Sequence, residues 1–308
     1  MKLFDLHCDT ISDCYKKQKP LYDGDLQISL KRGEKYNPWF QCFAIWIPDN
    51  RRGKAALDYF DVLLLQLHRE VERNSNRIMI CRAPSDFQAA IEQNKVGAII
   101  TVESGAAVAG SLERLKYIAD CGVKVMTLTW NSTCEFGDGA GVENSKGLSD
   151  FGREAVREME RLNILVDVSH ASDKLFEDVV LCTKKPFIAT HSNSRKICSQ
   201  MRNLTDEQFG IIRDRGGIVG INFVPEFLND SGRAAKEDVL RHVEHFLSLG
   251  GEKCVAIGSD FDGTDLPDDI TGIESVEGLA ELMLRHNYSE NLVHSILFDN
   301  AYQFFLSL

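Results

Sequence analysis

Residues 164–191 read ILVDVSHASDKLFEDVVLCTKKPFIATH and contain the pattern of a strand, a helix and a second strand. The runs Ile164–His170 and Phe187–His191 are short, apolar and bounded by polar residues, as buried parallel strands are. Between them, Asp173–Leu181 has apolar residues at helical spacing, and Ser172 is a favourable capping residue in front of it. The stretch predicts a strand–helix–strand unit in which both strands end in histidine.

The same alternation extends along the rest of the chain. Further strands are predicted at Leu3–Asp9, Trp39–Ile47, Val96–Glu103, Val123–Trp130, Gly217–Val224 and Val255–Phe261. Helical spacing predicts helices at Ala55–Arg73, Leu112–Asp120, Phe151–Leu162, Asp206–Asp214 and Ala234–Leu249, with start signals at Ser85 and Thr205. This alternation predicts an α/β fold, a (β/α)8 barrel of the TIM type, as a single domain over residues 1–308 with extra C-terminal helices. The rival open doubly wound sheet is disfavoured because no glycine-rich nucleotide loop follows a strand.

Composition narrows the class of protein. The net charge of −11 and the lack of a Lys/Arg block argue against nucleic acid as a partner. None of the nine cysteines is spaced as CxxC, so neither a disulfide framework nor a zinc knuckle is expected. No apolar run is long enough for a membrane span, and the amino terminus lacks a signal-peptide pattern. We therefore expect a cytoplasmic protein without a membrane partner.

Metal-competent side chains stand at the downstream ends of several predicted strands, which meet at one rim of a barrel. The set comprises His7, Asp9, Glu103, His170, His191 and Asp260. A single strand-end histidine is more often a core or capping residue, but repeated coincidence at the strand ends is improbable. We expect two divalent cations, with Glu103 bridging them and Asp260 as acid/base beside a shared water. The irregular stretches Ser12–Pro38 and Ser132–Asp150 would form walls over this site.

At these residues the chain resembles the renal (membrane) dipeptidase family of metallopeptidases. The matching segments, in the family's order, are DLHCDT at 5–10, TVESG at 101–105, MTLTWN at 126–131, LSDFGREAVREMERLNILVDVSHAS at 148–172, THSNSR at 190–195, MRNLTD at 201–206 and GSDFDG at 258–263. The resemblance implies a zinc-dependent barrel that cleaves dipeptides, tolerates a D-residue at the C-terminal position and forms a homodimer.

The resemblance also assigns roles to individual residues. It implies one zinc on His7 and Asp9, the other on His170 and His191, the bridging carboxylate at Glu103, proton transfer by Asp260 and substrate binding by Arg202. One position departs from the pattern, because Trp130 stands in LTWN where animal members have histidine. An indole can donate one hydrogen bond but carries no positive charge.

The function expected from the sequence is hydrolysis of the amide bond of dipeptides by a binuclear zinc enzyme through a metal-bridging hydroxide. Zinc follows from histidine and carboxylate ligands without thiolates, although such sites also accept Mn, Co, Ni or Fe. One alternative is a related barrel hydrolase or deaminase acting on a cyclic amide, lactone or phosphoester. Another is a non-catalytic metal- or peptide-binding relative.

Overall fold

A curled parallel sheet forms the centre of the computed structural model, which covers residues 1–308. Its main strands pair in the order β8-β5-β4-β2-β1-β10-β9, with β3 beside β4, while β6 and β7 form a separate antiparallel pair. The strands are β1 Leu3–Cys8, β2 Trp39–Trp46, β3 Ile78–Ile80, β4 Val96–Glu103, β5 Val125–Thr127, β6 Thr133–Cys134, β7 Gly137–Asp138, β8 Leu165–Asp167, β9 Val219–Ile221 and β10 Val255–Ile257.

Two isolated parallel bridges join the ends of this sheet. Asp167 of β8 pairs with Ile188, and Ala189 pairs with Val219 of β9. Ile188 and Ala189 therefore occupy the sixth of eight strand positions, between β8 and β9. The predicted (β/α)8 barrel is confirmed.

The predicted strands Ile164–His170 and Phe187–His191 are too long, and the second is not a regular strand. The reason is the buried carboxylate of Asp167. Its Oδ1 accepts hydrogen bonds from the backbone N–H groups of Ser169 and Thr190, both at 2.9 Å. Side-chain acceptors of this kind compete with the strand ladder for backbone donors. Regular strand pairing in β8 therefore ends at Asp167, whose carboxylate binds these backbone N–H groups.

Twelve helices pack around the curled sheet. They are α1 Thr10–Lys17, α2 Lys54–Arg73, α3 Pro84–Glu92, α4 Leu112–Asp120, α5 Asp150–Arg161, α6 Asp173–Cys182, α7 Asp206–Asp214, α8 Pro225–Leu228, α9 Lys236–Ser248, α10 Val276–Arg285, α11 Glu290–His294 and α12 Asn300–Leu306. The eighth strand of such a barrel is followed by one helix, so two of the three helices after β10 are the expected extra C-terminal elements. None of the helices combines the length and apolar character needed to cross a membrane.

Helix starts follow the sequence signals in two of three cases. Ser172 and Thr205 cap α6 and α7, accepting hydrogen bonds from backbone N–H groups three residues later. The expected start signal at Ser85 is wrong, since α3 begins one residue earlier at Pro84, where proline suits the first turn. Its cap is the carboxylate of Asp86, which accepts from the backbone N–H of Ala83 at 2.9 Å.

The helix α1 was also not expected, because it lies in the stretch predicted to be irregular. Asp9 occupies its N-cap position but makes no side-chain capping bond. Aspartate is normally a good cap, so its carboxylate is diverted to another use.

A buried apolar cluster fills the centre of the barrel. It takes residues from, or directly next to, every strand position, among them Leu6, Ile99 and Ile188, and adds Phe304 and Phe305 from α12. Because every strand position is represented, this cluster lies inside the cylinder, and the last helix packs against it. The opposite, downstream rim is left for polar side chains.

Candidate metal centre

Six polar side chains from five strand ends meet at this rim, and all six are buried: His7, Asp9, Glu103, His170, His191 and Asp260. Their potential ligand atoms form three triads, each with all atoms within 4.8 Å of one another. The triads are His7–Asp9–Glu103, Glu103–His170–His191 and His7–His191–Asp260. The structure thus brings together all the residues that the sequence predicts around the cations.

Glu103, the last residue of β4, lies between the imidazoles. Its Oε1 is 2.8 Å from Nε2 of His170 and 3.7 Å from Nε2 of His191. Its Oε2 is 3.5 Å from Nε2 of His7. The two oxygens of one carboxylate therefore face different imidazoles, the arrangement that a bridging ligand requires.

Hydrogen bonds to Nδ1 determine the tautomers of two imidazoles. His170 Nδ1 lies 2.8 Å from Asn131 Oδ1, and His191 Nδ1 lies 2.8 Å from Thr190 Oγ1. The Thr190 hydroxyl donates its proton to the Asp167 carboxylate at 2.6 Å, so His191 must be the donor in the other bond. Each ring in its neutral form then carries its lone pair on Nε2. These two Nε2 atoms are 3.0 Å apart.

Facing lone pairs repel each other unless a cation binds them, and neutral imidazole is a common metal ligand. Two further atoms, Nε2 of His7 and Oδ1 of Asp9, are buried and have no hydrogen-bond partner. An unpaired buried polar atom lowers the stability of the fold by about 1–3 kcal/mol. These nitrogen and oxygen atoms are therefore suited to bind a metal ion. The donor set of imidazoles and carboxylates without thiolates fits zinc.

Burial sets the charge state of the donors. It lowers the pKa of His191 well below its usual range, and the positive charges of His7 and Arg202 act in the same direction. Burial also raises the pKa of Asp9 to about 8, with a further contribution from the charge of Glu103. Burial by itself lowers the pKa of His7, but Glu103 and Asp9 outweigh it and hold that pKa well above the ordinary value. A bound cation would relieve the repulsion between these carboxylates.

The backbone around the site is strained. His170, Asp260 and Asp262 have φ of 62°, 64° and 64°, in the left-handed region that residues other than glycine rarely adopt. Such conformations cost on the order of 1–3 kcal/mol each and cluster at functional sites. At Gly263 a Cβ atom would lie 2.3 Å from Oδ2 of Asp9 and 2.6 Å from Oδ1 of Asp260, so a larger residue there would displace one of these carboxylates or the backbone.

Asp260 is oriented by an amide that the sequence analysis missed. Its Oδ1 lies 3.7 Å from Nε2 of His7, while its Oδ2 accepts a hydrogen bond from Nδ2 of Asn222 at 3.0 Å. The amide cannot turn over, because its own Oδ1 accepts from the backbone N–H of Val224 at 2.6 Å. A polar residue inside the apolar run Gly217–Val224 was the available signal for Asn222. Asn131, the partner of His170, directly follows Trp130 and was missed in the same way.

Arg202 lies beside the donors but is largely enclosed by protein. Its Nη1 donates to Oγ of Ser192 at 2.9 Å, and its Nη2 donates to the backbone oxygen of His191 at 3.0 Å. Its Nε is buried without a partner. Burial lowers the pKa of Arg202 to about 10, and the guanidinium remains charged at neutral pH. The Nε–H of this cation is thus left for another group.

A cavity of about 470 Å³ opens above the donors. Its wall contains Asp9, Glu103, His170 and Asp260, together with Trp130. The ring of Trp130 is centred 6.2 Å from the ring of His170. A small molecule in this cavity can therefore reach the candidate metal ligands, and it passes Trp130 on the way.

Comparison with known proteins assigns the chain to a family. The model of the membrane dipeptidases, peptidase family M19, matches residues 1–306. An uncharacterised protein in the pqqA 5′ region of Klebsiella pneumoniae is 30% identical over 256 residues, which are 79% of this chain and 94% of that protein.

Two solved structures share the whole fold. A metallopeptidase from Rhodobacter sphaeroides, liganded with a phosphinate mimic of the dipeptide L-Ala-D-Ala, is 26% identical, with a TM-score of 0.92. Dipeptidase AC, a metallopeptidase of family M19, is 28% identical, also with a TM-score of 0.92. In both cases the match covers 99% of this chain and 98% of the other. The chain belongs to the membrane dipeptidase family, peptidase family M19, and is a metallo-dipeptidase.

Proposed function

We propose that this enzyme uses two zinc ions to hydrolyse the amide bond of dipeptides, and that it accepts a D-residue at the C-terminal position. The observation that carries the proposal is the 3.0 Å approach of two imidazole Nε2 atoms beside one carboxylate oxygen of Glu103. The dipeptide mimic bound to the Rhodobacter sphaeroides relative, which ends in a D-alanine analogue, supports the substrate class.

The proposed ligands divide into two groups. His7 and Asp9 would hold one ion, His170 and His191 the other, and Glu103 would contact both. Zinc bound there would lower the pKa of a water molecule and polarise the scissile carbonyl group. Mn, Co, Ni or Fe could occupy the same donors.

Asp260 is the proposed acid/base. Its Oδ2 is occupied by Asn222 at 3.0 Å, so Oδ1 is the oxygen available for proton transfer. In this proposal Asp260 takes a proton from the attacking water and delivers it to the nitrogen of the leaving amine. The rigid amide of Asn222 keeps the carboxylate aimed at the site.

Arg202 and Trp130 are the proposed substrate-binding residues. The unpartnered Nε of Arg202 supports its pairing with the free carboxylate at the C-terminal end of a dipeptide. Trp130 lines the cavity beside His170, from where its indole N–H can donate to the substrate carbonyl oxygen. An uncharged donor replaces the histidine of the animal enzymes in this scheme.

A screen of L-L and L-D dipeptides tests the proposal. We expect zinc-loaded protein to hydrolyse L-Ala-D-Ala, a chelator to abolish turnover, and added zinc to restore it. Metal analysis of the same samples should give two zinc ions per chain. Protein that contains two zinc ions and cleaves none of the dipeptides would refute the proposed function.

A further inference from the structure

One wall of the cavity is an aromatic surface that ends in a lysine. It begins at the ring of Trp130, beside His170, and continues to Trp46, whose ring meets that of Trp130 edge-on at 5.1 Å. Nζ of Lys16, in α1, lies 4.4 Å from the centre of the Trp46 ring. All four residues line the cavity, so the wall leads from a proposed metal ligand to an ammonium group.

The charge of Lys16 has no anionic partner in the protein. Lys16 is the only lysine or arginine that lines the cavity, and it makes no ion pair. The acid one turn before it, Asp13, is engaged by Lys17 at 2.5 Å. An aromatic face attracts an ammonium group but does not neutralise it. The cavity therefore presents a free positive charge to its contents.

The other carboxylates of the cavity are already engaged. Asp9, Glu103 and Asp260 belong to the donor cluster described above. Asp262 accepts hydrogen bonds from the hydroxyl of Thr10 and from the backbone N–H of Gln27, both at 2.6 Å. None of these acids forms an ion pair with Lys16, so the exposed ammonium group is open to an anionic group of a ligand without competition from a protein carboxylate.

The order of strands in the barrel separates Lys16 from Arg202. Trp46 ends β2, in the second strand position, whereas Arg202 donates to the backbone oxygen of His191, just after the sixth position. These positions lie on different sides of the ring, with the donor cluster between them. A dipeptide whose C-terminal carboxylate pairs with Arg202 therefore directs its N-terminal residue toward Trp46 and Lys16.

We infer that Lys16, at the end of the Trp130–Trp46 wall, is a specificity determinant for dipeptides with an acidic N-terminal side chain. The carboxylate of an N-terminal glutamate or aspartate pairs with the ammonium group, while its methylene groups contact the aromatic wall. This inference rests on the proposed dipeptidase function and names its substrate class.

The test compares kcat/KM for L-Glu-D-Ala with that for L-Gln-D-Ala, which has the same shape without the charge. We expect the wild-type ratio to exceed one and to fall about fivefold in Lys16→Met, as for a partly exposed ion pair. Lys16→Arg should retain most of the preference. Lys31→Met is the matched control, because Lys31 is exposed, lies outside the cavity and makes no ion pair, so its loss should leave the ratio unchanged.

Three outcomes decide against the inference. An unchanged ratio in Lys16→Met, with dipeptide turnover retained, would refute it and leave the proposed function standing. A dependence on Lys16 for L-Ala-D-Glu over L-Ala-D-Gln, instead of for L-Glu-D-Ala, would show that the lysine reads the C-terminal residue and overturn the assignment. Absence of hydrolysis of every dipeptide by zinc-loaded wild type would refute the proposed function, and this inference with it.

Discussion

Asp167 and His191 are linked through a single hydroxyl group, that of Thr190. The hydroxyl donates to Oδ2 of Asp167 at 2.6 Å and lies 2.8 Å from Nδ1 of His191. Its one proton is committed to the carboxylate, so the imidazole must supply the proton of the second bond. A buried carboxylate that touches no imidazole thereby determines which nitrogen of His191 is free to bind a metal ion.

Replacing Thr190 by valine, which has the same shape, should weaken zinc binding about 10- to 100-fold, because the tautomer of His191 is no longer selected. Competition with a chromogenic chelator measures this affinity. The matched control is Thr127→Val, since Thr127 also donates to Oδ2 of Asp167 at 2.6 Å but has no bond to His191. Equal losses in the two variants would contradict the link, because the effect would then come from Asp167 alone.

The variant Asp260→Asn distinguishes a role of Asp260 in proton transfer from a role in metal binding. The amide keeps an oxygen but cannot accept and return a proton, so kcat should fall by about 10²- to 10⁴-fold while two zinc ions remain bound. Metal analysis and turnover of L-Ala-D-Ala are measured on the same sample. Asp265→Asn, an exposed change in the same loop, should alter neither. Loss of zinc from Asp260→Asn would make Asp260 a ligand and not the acid/base.

The barrel and the donor set were accessible from sequence for a simple physical reason. Parallel strands buried on both faces read as apolar-rich runs, and the end of each run is visible where it gives way to a polar loop. Glu103, His170 and His191 all stand at such ends. Parallel strands of a barrel share one rim, so their ends could be brought together without knowledge of contacts. The residues of the donor cluster could therefore be predicted from the pattern of strands along the sequence alone.

Residues that act through another side chain could not be found in this way. Asp167 lies in the apolar run ILVDVSH, where nothing in the pattern shows that its carboxylate accepts from Thr190. Asn222 likewise depends on a contact with Asp260, 38 residues away. The helix α1 escaped prediction because most of it lies in Ser12–Pro38, whose polar and glycine-containing composition indicated an irregular segment. A homodimer and a cytoplasmic location stay predictions.

Gly263 provides a steric test of the donor cluster. Gly263→Ala would bring a Cβ atom to 2.3 Å from Oδ2 of Asp9, so either that carboxylate or the backbone must move. We expect weaker zinc binding and loss of most turnover. Gly210→Ala is the control, because its Cβ would have no neighbour closer than 4.0 Å and it lies in α7, where alanine stabilises a helix by about 0.5–1 kcal/mol relative to glycine. Normal zinc affinity in Gly263→Ala would argue against Asp9 as a ligand.

Arg202→Ala should distinguish substrates by their C-terminal group. Hydrogen bonds to charged groups contribute about 1.5–3 kcal/mol, so kcat/KM for L-Ala-D-Ala should fall about tenfold to a hundredfold. The C-terminally amidated dipeptide lacks the carboxylate and should be affected much less. Any structural damage in the variant affects both substrates equally and drops out of this comparison. Such damage is expected because Arg202 also donates to the backbone of His191 at 3.0 Å. Ser192→Ala, which removes the partner of Nη1 and leaves the charge, should keep the preference for the free carboxylate. If kcat/KM fell equally for the free and amidated dipeptides in Arg202→Ala, the arginine would not bind the substrate carboxylate. Its role would then be only to stabilise the segment that follows the sixth strand position.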